Sequence, residues 1–164
     1  MDIWSEPKID AHCHVLDPQR FAYHPDVSYR PAGQEIGSAD YFKQVLTCYG
    51  ARHALLVGPN SGYATDNRCL LDAIANSPAT FKGIAVVPND TNADTLQRLK
   101  EGGVIGVAFN PSLMGNAYYA GIEPLLKRLR ELDMWAQFQV ERSEEHTSEL
   151  QSHHDLVCRL LLEK

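Results

Sequence analysis

Short apolar segments alternate with helical patterns through the first 141 residues, and this alternation constrains the fold more than any other feature. Strands are predicted at residues 8–12, 53–57, 81–87, 104–109 and 134–140. Their apolar residues run almost continuously, which is typical of strands buried on both faces. Because a helix separates each strand from the next, the strands are expected to be parallel. The predicted fold class is therefore α/β, with a parallel sheet covered by helices.

Capping residues mark where the helices between these strands begin and end. Ser38 is a predicted N-cap, and Gly50 is the C-terminal stop of the same helix. Asn92 is the predicted N-cap of the third helix. The second helix is expected to start at Thr65 or Asp66, and the fourth to span residues 120–132. The element order is thus βαβαβαβαβ.

Two architectures accommodate this order, and the pattern alone leaves both open. One is a complete doubly wound sheet, an anion-binding module that holds its ligand where the strand order reverses. No GxGxxG or GxxxxGK[ST] sequence follows a predicted strand, which argues against a nucleotide. The other is the first five βα units of a (β/α)₈ TIM barrel, truncated, since a whole barrel needs about 250 residues. A length of 164 residues favours the first architecture, whereas a foreign C-terminal segment favours the second.

The last 23 residues, 142–164, join neither the strand pattern nor the helix pattern. The stretch RSEEHTSELQS can be written in codons as the start of a common short-read sequencing adapter. Residues 155–164 can be written as that adapter's far end running into poly-A. The alternative is a polar C-terminal helix with an apolar stripe at Leu156, Leu160 and Leu161. We expect residues 1–141 to form the partial domain and residues 142–164 to be a non-native tail.

Composition and charge exclude several classes of function. The formal net charge of −6 argues against a nucleic-acid partner, and no apolar run approaches the roughly 18 residues of a membrane span. The N-terminus lacks the apolar segment of a secretory signal. The four cysteines show no CxxC spacing, so they are interpreted as thiols of a reducing compartment, and the cytoplasm is the expected location. The oligomeric state is not predicted.

Two histidines flank Cys13 at the carboxyl end of the first predicted strand. Residues at positions i and i+2 of a strand project to the same side, so His12 and His14 are expected to face together while Cys13 faces away. Two imidazoles placed in this way can share one divalent metal. The carboxyl ends of parallel strands form the functional face in both architectures. A lone HxH is a weak motif, but its position at the end of the first predicted strand strengthens the prediction of a functional site there.

A longer resemblance includes these histidines. The segment IDAHCHV resembles the opening strand of the amidohydrolase superfamily, and residues 8–141 resemble its lactonase-like subgroup. Supporting segments are YRP at 29–31, ALLVGPNSGYATDNRCLLDAI at 54–74, FKGIAVV at 81–87 and GVIGVAFN at 103–110. The resemblance implies a (β/α)₈ barrel that hydrolyses lactones, esters or amides, with decarboxylation in related branches.

The resemblance also implies roles for individual residues. His12 and His14 are implied to be catalytic, either as ligands of a divalent metal (zinc or manganese) or, without metal, as groups that polarise the scissile carbonyl. Tyr29, Ser61 and Asn110 are implied to contact a small carboxylate substrate. Packing of Tyr29 in its loop, and turn formation by Ser61 and Asn110, are the alternatives.

The remaining catalytic groups of the resemblance, a later histidine and an aspartate general base, lie beyond residue 141. We therefore expect the parent protein to hydrolyse a small carboxylate lactone or ester, and the 164-residue chain to be an inactive fragment. Ala108 stands where the dicarboxylate lactonases carry an arginine, the side chain suited to bidentate carboxylate binding, so a dicarboxylate substrate is not predicted. Gln137 and Gln139 alternate with Phe138, so both are expected in the barrel interior, as lining or as catalytic residues.

Overall fold

The computed structural model describes residues 6–139, which form a five-stranded parallel sheet with helices between the strands. The strands are β1 (Lys8–Cys13), β2 (Ala51–Val57), β3 (Phe81–Ala85), β4 (Val104–Phe109) and β5 (Trp135–Phe138). The four crossover helices are α1 (Ala39–Cys48), α2 (Arg68–Ala75), α3 (Ala93–Glu101) and α4 (Glu123–Glu131). The predicted tail at residues 142–164 lies outside the described residues. In the part of the chain that is described, no helix has the length and apolar content needed to cross a bilayer.

The strand order decides between the two predicted architectures. Each strand pairs with the next strand of the sequence, in the order β1-β2-β3-β4-β5. A doubly wound sheet needs a point where this order reverses, and the five described strands contain none. The doubly wound alternative, with its anion site at the reversal, is therefore wrong. Successive parallel pairing is the order of a (β/α)₈ barrel, and the chain forms its first five βα units.

The sheet is curled. Neighbouring strands lie about 4.8 Å apart, so β1 and β5 would be roughly 19 Å apart in a flat sheet. Yet the side chains of His12 on β1 and Gln137 on β5 are in hydrogen-bond contact at 2.9 Å. The carboxyl ends of the first and fifth strands therefore face each other across the concave side, as in a half-barrel.

The main core lies between the convex face of the sheet and the helices. Each of the four crossover helices packs on the strand that follows it. Leu56 of β2, Leu96 of α3, Val104 of β4 and Leu125 of α4 are completely buried there. Burial of these aliphatic side chains is the main stabilising term and holds the curvature of the sheet.

The predicted caps are present, with shifts at two helix starts. The Ser38 side chain accepts a hydrogen bond from the Tyr41 amide, and Asn92 accepts one from the Thr95 amide. Helix α2 begins at Arg68, later than predicted, and Asp66 instead accepts from the Arg68 amide. Helix α4 begins three residues later than predicted, because a 3₁₀ turn at Asn116–Tyr119 and a left-handed Gly121 (φ 81°) precede it.

Several strand boundaries also differ from the prediction, and β5 spans Trp135–Phe138 instead of residues 134–140. Strand β1 continues to Cys13, and β2 begins at Ala51, which pairs with Lys8. Strand β3 ends at Ala85 instead of residue 87, because the amide of Val86 donates to the side chain of Asn67. A side-chain acceptor thus replaces the backbone ladder at that point.

Candidate active site

A cavity of about 280 Å³ opens at the carboxyl ends of the strands. The loops after β1 and β2, the end of β4 with its following loop, and β5 all contribute to its wall. It is lined by His12, His14, Ser28, Tyr29, Val57, Gly58, Pro59, Asn60, Ser61, Ala108, Phe109, Asn110, Leu113, Gln137 and Gln139. The structure therefore brings the five predicted site residues, His12, His14, Tyr29, Ser61 and Asn110, into one cavity. Their chemical roles stay predictions.

The two histidines lie side by side in this cavity. Their ring centroids are 5.0 Å apart, and the ring planes are nearly perpendicular at 86°. Cys13, between them in the sequence, is directed away, and its Sγ contacts the Leu55 carbonyl at 3.5 Å. Burial, with a smaller contribution from the charge of Asp10, raises the pKa of the Cys13 thiol to about 12. The thiol is therefore protonated at neutral pH, and it is directed away from the cavity.

The protonation of His14 follows from its backbone partner. Its Nδ1 lies 2.8 Å from the carbonyl oxygen of Val57, at the end of β2. A carbonyl can only accept, so Nδ1 carries the proton, and the neutral ring has its lone pair at Nε2. This contact fixes the ring against the neighbouring strand and gives His14 an acceptor nitrogen.

His12 has a side-chain partner instead. Its Nδ1 lies 2.9 Å from the amide nitrogen of Gln137, which is only 4% exposed. The amide oxygen of Gln137 is buried and has no hydrogen-bond partner among the described residues. A primary amide nitrogen donates, so in this arrangement the lone pair of His12 Nδ1 is already used.

The described residues do not by themselves form a metal site. Within residues 6–139 there is no cluster of three or more histidine, cysteine, aspartate or glutamate side chains placed to hold a metal ion. His14 can offer Nε2, whereas an amide nitrogen that donates to His12 Nδ1 would leave the proton of that neutral ring on Nε2. This donor pattern does not match a metal held jointly by the two imidazoles.

The loop after β1 brings Tyr29 to the cavity and anchors it from two sides. The Tyr29 hydroxyl donates to the Glu35 carboxylate, and this hydrogen bond raises the pKa of Tyr29 and lowers that of Glu35. The Tyr29 carbonyl accepts from the amide of Gly62 at 2.9 Å. Gly62 is left-handed (φ 74°), and a Cβ there would meet the Tyr23 ring at 2.8 Å, so this turn requires glycine. Ser61, the residue before it, lines the cavity.

Asn110 lines the cavity but also holds its own turn. Its side-chain oxygen accepts from the Leu113 amide at 3.0 Å, and its backbone amide donates to the Tyr119 hydroxyl at 2.8 Å. Turn formation, the alternative to substrate binding, is therefore one role that the structure shows for Asn110. Any contact of its amide group with a substrate stays a prediction.

The cavity lining among the described residues has no permanently charged side chain. It contains no lysine, arginine, aspartate or glutamate among the described residues, and Ala108 forms part of the β4 wall. Polar groups on this side of the cavity are therefore hydroxyls, amides and imidazoles. A carboxylate bound here would be held by neutral donors and by the histidines.

Two contacts in the site were not predicted from the sequence. The alternation of Gln137 and Gln139 with Phe138 indicates that both glutamines face inward, and both line the cavity. Nothing local signals that Gln137 meets His12, because 125 residues separate them. The role of the Val57 carbonyl as partner of His14 is likewise invisible in the side-chain sequence.

Comparison with known proteins finds a similar curated protein and similar solved structures. A curated 2-pyrone-4,6-dicarboxylate hydrolase of Comamonas testosteroni is 31% identical over 113 residues, covering 62% of this chain and 32% of the relative. A solved structure of a candidate 2-pyrone-4,6-dicarboxylic acid hydrolase of Acinetobacter baumannii, with citric acid bound, matches with a TM-score of 0.67. It is 27% identical, and the match covers 80% of this chain and 49% of that one.

Two further solved structures support the fold. A candidate 2-pyrone-4,6-dicarboxylic acid hydrolase of Pseudomonas putida has a TM-score of 0.63 and 30% identity, over 80% of this chain and 47% of its own. An Agrobacterium tumefaciens protein in its apo form has a TM-score of 0.67 at 17% identity, over 80% of this chain and 45% of its own, a likeness of fold alone. The chain thus spans about a third of the curated relative and about half of these solved chains.

A family model described as amidohydrolase matches residues 9–156, which is most of the chain. The matched range runs past residue 142, and the predicted boundary of the non-native tail stays a prediction. The strand order and the curvature of the sheet are those of a barrel, and the family model matches the same part of the chain. The chain belongs to the amidohydrolase family.

Proposed function

We propose that the protein from which this chain derives hydrolyses a small lactone or ester that carries a carboxylate. The observation that carries the proposal is the placement of His12 and His14, 5.0 Å apart, in one cavity at the carboxyl ends of the strands. This is the face on which barrels of this kind carry their chemistry. The relatives are named as hydrolases of a pyrone dicarboxylate, and a 2-pyrone is a cyclic ester.

The two histidines would act on the scissile ester in different ways, His12 as a hydrogen-bond donor to the carbonyl oxygen and His14 through its Nε2 lone pair as an acceptor for water or a hydroxyl. Water attacks the carbonyl carbon, negative charge develops on the carbonyl oxygen, and the ring C–O bond then breaks to give an acid and an alcohol or enol. A hydrogen-bond donor aimed at that oxygen accelerates such a step by about 10²–10³-fold. The base that deprotonates the water is expected beyond residue 141, as the family resemblance implies. No step is assigned to a metal, because the described donors do not match one.

The substrate carboxylate would be held on the side of the cavity formed by the β2 turn. Ser61 and Asn60 line this side, and Tyr29 of the loop after β1 is joined to it by the hydrogen bond from the Gly62 amide. Ala108, in the β4 wall, cannot make the bidentate contact with a carboxylate that an arginine at this position would make. We therefore propose a substrate with a single carboxylate in this half of the site.

The test uses the longer coding sequence, recovered from the source DNA with primers outside the present ends. The purified protein is assayed on a panel of lactones and esters, including 2-pyrone-4,6-dicarboxylate, after chelation and after adding back zinc or manganese. We expect hydrolysis of at least one carboxylate lactone or ester, and a loss of about 10²–10⁴-fold in kcat/KM for His12→Ala and His14→Ala. His53→Ala is the matched control, because His53 lies at the amino end of the sheet and contacts the Ala79 carbonyl.

Two results would contradict the proposal. One is a folded protein that hydrolyses no member of the panel with or without metal. The other is release of carbon dioxide from a carboxylated substrate without ester cleavage, which would assign the protein to decarboxylation instead.

A further inference from the structure

The contact between Gln137 and His12 joins the two ends of the described sheet. Gln137 is on β5 and His12 on β1, and the amide nitrogen lies 2.9 Å from Nδ1 of the imidazole. Gln137 is 4% exposed, so its amide has little access to water. The amide oxygen, also buried, has no hydrogen-bond partner among the described residues. A buried amide that makes this one contact is placed to control the imidazole.

The two orientations of the amide have different consequences for His12. With the nitrogen toward the ring, the amide donates to Nδ1, and the imidazole proton is on Nε2. With the oxygen toward the ring, Nδ1 donates and the amide nitrogen takes the other buried position. The structure has the first orientation, in which the amide nitrogen lies 2.9 Å from Nδ1 and donates to it.

We propose that Gln137 is a positioning residue that holds His12 in the tautomer protonated at Nε2. The Val57 carbonyl holds His14 in the opposite tautomer, protonated at Nδ1. The two imidazoles therefore present unlike groups to the cavity, an N–H donor from His12 and a lone pair from His14. In the proposed hydrolysis, on which this consequence rests, the donor of His12 suits the carbonyl oxygen and the lone pair of His14 suits water or a hydroxyl.

The same argument predicts how the pair would be converted into a better metal site. A histidine that ligates through Nε2 needs an acceptor at Nδ1, such as a carboxylate or a carbonyl. His14 already has one, and His12 has an amide donor instead. Gln137→Glu supplies a carboxylate of nearly the same shape, which accepts from Nδ1 and moves the proton away from Nε2.

The first measurement reads the tautomers directly in the full 164-residue chain. Histidine is labelled with ¹⁵N, and the signals are assigned with single histidine variants. Spectra are recorded at about pH 8.5, roughly two units above the ordinary imidazole pKa of about 6.5. Protonated and unprotonated ring nitrogens have well separated ¹⁵N shifts. We expect His12 to be protonated at Nε2 and His14 at Nδ1. His12 protonated at Nδ1 in the unsubstituted chain would overturn the proposal.

The second measurement is zinc affinity, determined by competition with a chelating dye. Gln137→Glu is expected to bind zinc about 10–100-fold more tightly than the unsubstituted chain and to reverse the tautomer of His12 alone. Gln139→Glu is the matched control, because it adds the same charge to the same cavity two residues further along the chain, just after β5. Equal gains from both variants would show an effect of charge and contradict the proposal.

The outcomes separate this inference from the proposed function. Neither readout measures hydrolysis, so an inactive protein with the expected tautomers would refute the function and support the assignment to Gln137. If Gln137→Glu fails to fold, the spectrum of the unsubstituted chain still decides the tautomer of His12.

Discussion

Asn67 connects the turn after β2 to the end of β3, and its removal tests how the cavity wall is held. Its side-chain nitrogen donates to the Val86 carbonyl at 2.8 Å and to the Thr65 carbonyl at 3.1 Å. Its side-chain oxygen accepts from the Val86 amide at 3.1 Å. Although Asn67 is the N-cap residue of α2, its side chain makes no capping hydrogen bond, so no capping energy is lost on substitution.

The expected cost of Asn67→Ala follows from the groups left behind. Val86 is 8% exposed, so both of its backbone groups lose their partners in a nearly dry environment. A buried hydrogen-bonding group without a partner costs about 1–3 kcal/mol. Entry of a water molecule into the space left by the amide offsets part of this cost, so we expect a loss of about 2–4 kcal/mol in the free energy of unfolding. The Thr65 carbonyl is exposed and contributes little.

The assay is urea unfolding followed by far-UV circular dichroism and tryptophan fluorescence. Asn76→Ala is the matched control, because it removes an exposed amide that donates to the Asp72 carbonyl at the end of α2. Water replaces that bond, and a loss of about 0.5 kcal/mol is expected. Asn67→Asp keeps the acceptor for Val86 but loses the donor, so it should also be destabilised. A cost of Asn67→Ala no larger than that of Asn76→Ala would refute the reasoning.

Three further predictions concern a glycine, a carboxylate and the end of the chain. Gly62→Ala is expected to destabilise the fold by about 1–2 kcal/mol from its left-handed φ of 74°, and further from the clash with Tyr23 at 2.8 Å. Gly33→Ala is the control, because Gly33 also has a positive φ (59°) but no atom lies within 4 Å of an added Cβ, so this variant has backbone strain without a clash. Equal unfolding midpoints for the two variants would contradict the predicted clash with Tyr23. Hydrogen bonds from the Arg68 guanidinium hold the pKa of Asp66 below its ordinary value, so its contribution is present at neutral pH and is lost as the pH falls through the folded-state pKa. Asp66→Asn should therefore cost stability at neutral pH and progressively less in acid, and a cost independent of pH would contradict this. Sequencing the source DNA across codon 141 is expected to show a reading frame that continues into further βα units in place of the codons for residues 142–164. Finding those codons in the genome would instead show that residues 142–164 are native.

Some details of the site could be predicted from the sequence because they depend on neighbouring residues. The alternation of a strand places His12 and His14 on one side, and the structure finds both in the cavity with Cys13 directed away. Ser38 and Asn92 were predicted caps because capping joins residues three apart, and both caps are present. The start of α4 was predicted too early, because helical spacing alone does not show that Gly121 adopts a left-handed conformation.

The sequence by itself determined the alternation of strands and helices, the parallel direction of the strands and the edge at which the histidines lie. These follow from periodicity and from the length of each connection, which are local properties of the chain. Only the tertiary structure decided that the strands follow one another without reversal, because strand order depends on which side each helix packs. The same closure brings Gln137 to His12 across 125 residues. The hydrogen-bond partner of the His12 imidazole is therefore a property of the curled sheet, and no local pattern contains it.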